Sequence, residues 1–370
     1  MQSSRIVHNR YFSRNPFFIV LYVTSRCNAY CKMCYNWKNI ANAGNRIELS
    51  LNEIGKIASH IQSVQQLTIS GGEPFLREDL AEICTLFCKK SNVQFITIPT
   101  NGLLTDCIER ILKKALTDNP YVHFRIGLSM PEVDDELDEL LGVKNAYKKH
   151  RETFEMFRAL KKIYKNLNVD IGIVCNKYNI DRVRYIVDRV VSEKEECNPI
   201  VSMVRGKPRF KEAKDIPIDE LDYIYTYCKE RIPKINNRPF ADFMNQMTDM
   251  VHNITIKTVK EKKMILPCKC GIKLIVIYDN GDVYPCELLD ENLGNLRDHD
   301  YDIHKVLNLN TSRIITKKIR DSKCYCTWEC ALNNNIIFSY KYVFELFLRY
   351  ISYKTGWFRL SPKTGQYDKL

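Results

Sequence analysis

Six short runs of apolar and β-branched residues recur along the first two hundred positions. They are FFIVLYVT (17–24), QLTIS (66–70), VQFITIPT (93–100), VHFRIGLSM (122–130), NVDIGIVCN (168–176) and PIVSMVRG (199–206). Each has strand length and is apolar at successive positions, the pattern of a parallel strand buried on both faces. The segments between them carry helical spacing instead. Ser50 and Glu53 form a capping box ahead of Ile54, Ile57 and Ile61, so a helix starts there. Leu80, Ile83, Cys84, Phe87 and Cys88 share a face of the next helix; Phe154, Phe157, Leu160 and Ile163 form a third face, and Ile180, Val183, Ile186, Val187 and Val190 a fourth. Six strand–helix units in series predict an α/β fold, an open or partial (β/α)6 TIM-like barrel. Chemistry in such sheets collects at the carboxyl ends of the strands.

The pattern changes after residue 207. Residues 1–16 read as an N-terminal extension, 17–207 as the barrel core, 208–265 as a charged helical connector and 266–332 as a small cysteine-rich unit. Within that unit an apolar run, a turn at Asp279-Asn280-Gly281 and a short second run predict a β-hairpin. Residues 333–370 read as an amphipathic basic tail with Ile336, Tyr340, Val343, Phe344, Phe347 and Ile351 on one helical face, and with Trp357, Phe358 and Arg359 near its end. Such a stripe is expected to dock on the protein body, and a peripheral membrane contact is the second reading.

Composition narrows the class. The chain has 370 residues, 45% hydrophobic and 27% charged, with a formal charge of +12. An anionic substrate, nucleic acid or an acidic membrane would suit that charge. However, lysines alternate with acids, as in SEKEE and VKEKK, and no stacking-aromatic motif accompanies them. A solvated basic surface is therefore expected, without nucleic acid as partner. Fifteen cysteines with no secretory leader and no spanning run point to a reducing, cytoplasmic setting with thiols reserved for metal. Cys84, Cys88 and Cys228 lie on apolar helix faces and read as core thiols.

Cys27, Cys31 and Cys34, spaced C-x3-C-x2-C directly after the first strand, do not fit that bland reading. A closed zinc site wants four ligands, and no fourth Cys or His lies nearby. A 4Fe-4S cluster fits better, since three thiolates leave one iron open to a non-protein ligand.

This loop resembles that of the radical S-adenosylmethionine (radical SAM) enzymes. The resemblance implies that S-adenosylmethionine chelates the open iron through its amino and carboxylate groups. Reduction then yields a 5′-deoxyadenosyl radical that abstracts hydrogen from a substrate. Met33 stands where the family often has an aromatic residue. SGGEP (70–74) resembles the stretch that grips the cofactor's amino group, implying roles for Gly71, Gly72 and Glu73. PTNGLL (99–104) implies Asn101 near the cofactor. Ser129 and Asn176, at the ends of the fourth and fifth strands, and Arg205, at the end of the sixth, are the further cofactor candidates. Arg205 is expected on the methionine carboxylate. For these four the alternative is a polar strand-end cap.

PCKCGIKLIVIYDNGDVYPC (267–286) and KCYCTWECA (323–331) resemble the auxiliary-cluster extension called SPASM or, when shortened, twitch. A second 4Fe-4S cluster is implied, with Cys268, Cys286 and Cys330 as ligands, Cys326 or Cys324 as the fourth and Cys270 as a spare; a closed zinc site is the competing reading. The resemblance implies a radical SAM enzyme with a flavodoxin- or ferredoxin-like electron donor. Its substrate is expected to be a small metabolite, sugar or lipid precursor ahead of a ribosomal peptide, because only about sixteen residues precede the first strand. An iron–sulfur carrier and a zinc-stabilised nucleic-acid binder are the alternatives.

Overall fold

A computed structural model describes residues 16–192, 198–232 and 241–355, and a two-stranded ribbon at 358–360 and 367–369. Six parallel strands form the core: β1 (Phe18–Tyr22), β2 (Gln66–Ser70), β3 (Phe95–Thr100), β4 (His123–Ser129), β5 (Leu167–Cys175) and β6 (Asn198–Met203). All six expected runs are strands, one over its full length (66–70) and the others with ends shifted by one to three residues. The helices are α1 (Trp37–Ala41), α2 (Leu51–His60), α3 (Leu80–Lys90), α4 (Thr105–Asp118), α5 (Asp135–Leu141), α6 (Ala146–Ile163) and α7 (Val183–Ser192). Then come α8 (Ile218–Arg231), α9 (Ala241–Glu261), α10 (Ile303–Asn308), α11 (Asn310–Asp321), α12 (Glu329–Ile337) and α13 (Tyr340–Thr355).

The capping box at Ser50 and Glu53 starts α2 as the sequence implies. Cys84 and Cys228 are buried in the core with their helix faces, and Cys88 packs at its edge. Burying these apolar stripes against the strands is what the helical periodicity is for.

The sheet does not close. Its order is β6-β5-β4-β3-β2-β1-β7-β8-β9, where β7 is Leu274–Ile277, β8 is Asp282–Tyr284 and β9 is Gly294–Asn295. This is a partial TIM-like barrel. The predicted hairpin is β7–β8, and its first strand pairs in parallel with β1, Phe18 against Leu274. That pairing was not legible in the sequence, and it brings the C-terminal cysteines to the barrel. Alternation along β1 sorts its side chains: Ile19, Leu21 and Val23 join the helix-covered core, whereas Phe18, Val20 and Tyr22 pack with Trp328, Cys270 and Cys286.

The tail departs from its predicted stripe. Ile336 is buried on α12, but the chain breaks helix at Phe338 and restarts at Tyr340, which resets the helical phase. Leu346 then becomes the buried contact, packing with Met250, Ile254 and Ile336, and Tyr340, Phe344 and Phe347 are exposed. Trp357 lies outside the described residues, and of the expected Phe358 and Arg359 only the backbone strand is described. Among the described residues no helix is long and apolar enough to cross a membrane.

Candidate functional site

The loop after β1 is fastened on two sides. Tyr30 and Lys32 donate backbone hydrogen bonds to Leu141 and Leu140 at the end of α5 (2.8 and 3.1 Å). From the segment after β6, Arg209 and Phe210 donate to the carbonyls of Cys34 and Lys32, both at 3.0 Å. Met33 is buried against Leu140, Val204 and Ala213, so the apolar residue before the third cysteine anchors the loop. Cys27, Cys31 and Cys34 are half-buried. Burial pushes their thiols up, Cys27 to about 11, so thiolates here need a positive centre to stabilise them. Among the described residues no trio of His, Cys, Asp or Glu is arranged to hold a single metal ion. A 4Fe-4S cluster asks something different of the same donors, one thiolate for each of three irons.

The strand ends converge on this loop. Gly71 and Gly72 do not adopt positive φ; their service is a close approach of two backbones. A Cβ on Gly71 would stand 2.5 Å from the carbonyl oxygen of Thr24, and one on Gly72 would stand 2.1 Å from that of Arg26. Gly72 and Glu73 donate to those same two carbonyls, each at 2.8 Å. The side chain of Glu73 is buried between the strand ends. It accepts from Thr100 Oγ1 (2.8 Å), Asn101 N (2.7 Å) and Phe75 N (3.2 Å). Burial nevertheless pushes this carboxyl up to about 7, against the pull of those donors.

Asn101 reaches the loop directly. Its Nδ2 donates to Asn28 Oδ1 at 2.7 Å and lies 3.9 Å from Cys27 Sγ. Its carbonyl accepts from His150, a buried histidine on α6 held neutral by desolvation, down to about 4. The next residue, Gly102, turns at φ +70°, where a Cβ would strike Leu128 at 2.4 Å.

Other predicted residues are employed differently. Asn176 is wholly buried, its amide donating to Val174 O and accepting from Tyr178 N, so it caps the end of β5. Ser129 ends β4, half-buried. Arg205 donates to Glu287 Oε2 (2.8 Å) and to the hydroxyl of Tyr35 (3.1 Å). The sequence reading missed Arg209. Its guanidinium stacks 3.6 Å from the Tyr30 ring centre, its charge acts on Cys31 and Cys34, and its buried Nε has no hydrogen-bond partner among the described residues. The available signal was a second arginine four residues past Arg205.

Five C-terminal cysteines, Cys268, Cys270, Cys286, Cys324 and Cys326, line one cavity of about 620 Å3. Cys268, Cys286, Cys324 and Cys326 are each among the charges felt by others of the set, and Cys270 hydrogen-bonds to Cys268. Cys330, expected among the ligands, follows Glu329 in the first turn of α12 and is not among the residues lining this cavity, although it packs on the same buried cluster as Cys270 and Cys286; the charges acting on it most strongly are Glu287, Arg205, Glu329 and Arg125.

The sequence model of the radical SAM superfamily matches residues 21–190, which include the cysteine loop and both converging strand ends. Those residues carry a radical SAM domain. It is similar to the "Probable GTP 3′,8-cyclase" of Methanococcus maripaludis, 27% identical over 280 residues that cover 74% of this chain and 86% of the relative. The protein of the same name from Methanocaldococcus jannaschii is 26% identical over 287 residues, covering 76% and 88%. The structure described as "Native anSMEcpe with bound AdoMet" has a TM-score of 0.56 at 20% identity, covering 91% of this chain and 99% of that one. Streptococcus suis SuiB bound to the precursor peptide SuiA also gives 0.56, at 18% identity and 91% and 76% coverage. At these identities the two structures speak for the fold alone. The protein is a radical SAM enzyme, and its superfamily implies a 4Fe-4S cluster and S-adenosylmethionine.

The interior of this radical SAM barrel is polar on the side facing the C-terminal unit. Arg125 of β4 donates through Nε to Asp170 of β5. Asp170 is almost wholly covered, but 44% of the Arg125 side chain is accessible. Tyr22 donates to Glu287 Oε1 (2.8 Å) and shares a 2.6 Å hydrogen bond with Tyr35. Arg205 feels Cys330, and Cys34 feels Arg205. The arginine therefore stands between the cysteine loop and the C-terminal unit.

Proposed function

We propose that this chain is a radical SAM enzyme acting on a small organic substrate seated between the cysteine loop and the C-terminal unit. The observation that carries the reading is the double reach of Asn101, to Asn28 and to Cys27 Sγ, with Glu73 holding the Asn101 backbone. Two strand ends are thereby fitted to one cysteine loop. An iron–sulfur carrier needs the thiols but has no use for that convergence.

Cys27, Cys31 and Cys34 would hold the cluster. When bound and reduced, it supplies the electron that splits the sulfonium of S-adenosylmethionine and so generates the hydrogen-abstracting 5′-deoxyadenosyl radical. The chain's own residues bind and orient. With the Glu73 carboxylate engaged by Thr100 and Asn101, the backbone of Gly71–Glu73 is what this strand end offers to an ammonium. Arg205 is engaged by Glu287, so Arg209, beside Cys31 and Cys34, is the better candidate for the methionine carboxylate. Asn101 holds the loop in place; Asn176 has a capping role, and Ser129 remains the polar group at the β4 end. A second 4Fe-4S cluster would take four of Cys268, Cys270, Cys286, Cys324 and Cys326, with Cys330 outside the set. The electron would come from a flavodoxin- or ferredoxin-like donor. The names of the relatives make GTP the first compound to assay.

The test is anaerobic reconstitution followed by S-adenosylmethionine and dithionite. Formation of 5′-deoxyadenosine, abolished by Cys31→Ala, is expected. An intact cluster without cleavage supports the carrier reading and overturns this one.

A further inference from the structure

The helix α13 turns an apolar face to solvent. Leu346 is its buried contact, packed with Met250, Ile254 and Ile336 of α9 and α12. Opposite Leu346, at helical spacing, run Tyr340, Phe344, Phe347 and Ile351. The first three are 72%, 63% and 51% exposed. Met244 is exposed beside them on α9, which packs against α13: Phe243 meets Tyr350 edge-on with ring centres 6.1 Å apart, and Asp242 pairs with Lys354. A helix resting on a protein body normally presents polar residues outward. Single exposed apolar residues need no explanation, but a contiguous row marks a surface that meets something.

Charge and size indicate what that is. Residues 340–370 include six basic and two acidic residues. Lys341 is exposed next to Tyr340, and the Lys273 ammonium stands 5.5 Å from the ring centre of Phe338, where α12 ends. The acid of α13, Glu345, is neutralised within the helix by Arg349 at 2.7 Å. A second copy of the chain would bring the same cations to the same place, and two molecules of charge +12 repel. The row is also small for a stable protein interface, which takes roughly 20–30 residues a side. An anionic bilayer meets both conditions. It attracts the lysines, and aromatic side chains settle at headgroup depth. The same composition continues in the sequence past α13, with Trp357, Phe358 and Arg359.

We propose that the outer face of α13 is a peripheral membrane-binding surface, seating Tyr340, Phe344, Phe347 and Ile351 in the headgroup layer of an anionic bilayer, with Lys341 on the lipid phosphates. The helix lies along the bilayer, since no described helix is long and apolar enough to cross one. Binding uses none of the cysteines and is independent of the reaction proposed above.

The full-length protein is mixed with vesicles of phosphatidylcholine alone, or of phosphatidylcholine and phosphatidylglycerol in equal parts, at low and at high salt. The fraction that floats on a density gradient is measured. Wild type should float with the anionic vesicles, several-fold less with the neutral ones, and less again at high salt. Phe344→Ser and Phe347→Ser should each lower partitioning roughly tenfold, the loss of one aromatic side chain's burial in the bilayer. Melting temperature and iron content should stay at wild-type values in both, because both rings face solvent. Lys341→Glu should lower flotation with the anionic vesicles only. Absence of flotation, equal flotation with neutral vesicles, or flotation indifferent to both phenylalanine substitutions overturns the proposal. A concentration-dependent dimer in gel filtration that Phe344→Ser dissolves assigns the face to a second copy and overturns it as well.

Discussion

Arg205 and Glu287 join the two halves of the molecule through a 2.8 Å ion pair. Arg205 follows β6 at the barrel mouth; Glu287 follows Cys286 at the end of the hairpin. Tyr22 and Tyr35 complete the set, each hydrogen-bonded to one member of the pair and to each other. Cys34 and Cys286 are the chain neighbours of Tyr35 and Glu287, so a four-residue polar network spans from the cysteine loop to the C-terminal cysteines.

Removing Glu287 leaves the Arg205 guanidinium beside Tyr35 without its ion-pair partner. Glu287→Ala should therefore cost about 3 kcal/mol of stability, the usual penalty for breaking a buried pair from one side. Glu287→Gln should cost less, because its amide oxygen still accepts from Tyr22. Denaturant unfolding of the two variants, with iron counted on each, checks the order. Equal losses would mean that the charge is immaterial.

Gly72 tests the close approach of the strand end to the loop. In Gly72→Ala the new Cβ would lie 2.1 Å from the Arg26 oxygen and 2.9 Å from Cys27 Cβ, so the loop must move. Gly55→Ala is the control: its nearest neighbours stand at 3.6 Å and it lies within α2, where alanine is the better helix former by about 1 kcal/mol. The expected outcome is loss of about four irons per chain in the first variant with far-UV circular dichroism retained, and no loss in the second. Full iron in Gly72→Ala would show that the backbone contact does not set the loop.

Much of this was legible beforehand, and for identifiable reasons. Strand runs and helix faces are local, two- and 3.6-residue periodicities written into the chain, and the C-x3-C-x2-C loop follows its strand without a gap. What escaped was non-local. Nothing near Leu274 says that β7 will pair with β1. Glu73 reads as a ligand because a carboxylate beside two glycines is expected to face outward; only the tertiary position of Thr100 and Asn101 engages it within the protein. Arg205 and Arg209 are four residues apart and indistinguishable by type, and it is Glu287, more than eighty positions away, that engages one and leaves the other. Cys330 reads as a ligand beside Cys268 and Cys286, with Cys326 or Cys324 as the fourth, and only the tertiary fold leaves it off the lining of the cavity that the other five cysteines share.

That last point has its own test. If four of the five cavity cysteines hold a cluster, replacing Cys286 or Cys268 with Ser should remove about four irons per chain from a protein that otherwise binds two such clusters, whereas Cys330→Ser should retain them. Iron and acid-labile sulfide counts on anaerobically reconstituted protein decide it. Loss of iron in Cys330→Ser would restore that residue to the ligand set.

His150 gives the prediction with a pH signature. Its Nε2 donates to the carbonyl of Asn101, the residue that holds Asn28 and lies beside Cys27. Desolvation lowers the imidazole from 6.5 to about 4, while the backbone hydrogen bond opposes that shift. The unfolded chain therefore binds a proton between pH 6.5 and 4 that the folded chain refuses, so stability is present in full above 6.5 and falls as the pH drops through that window. The size is about 3 kcal/mol. Below pH 4 both states are charged and the loss levels off. Charging also places a proton on Nδ1, which is buried without a partner. Other titrating groups, Glu73 and His252 among them, act in wild type and variant alike, so the difference between wild type and His150→Gln isolates this one. Unfolding free energies of the two proteins, measured at half-unit steps from pH 7.5 to 4, should diverge below 6.5, with the wild type losing more. A difference that stays flat across the window would mean that His150 is not buried in its neutral form.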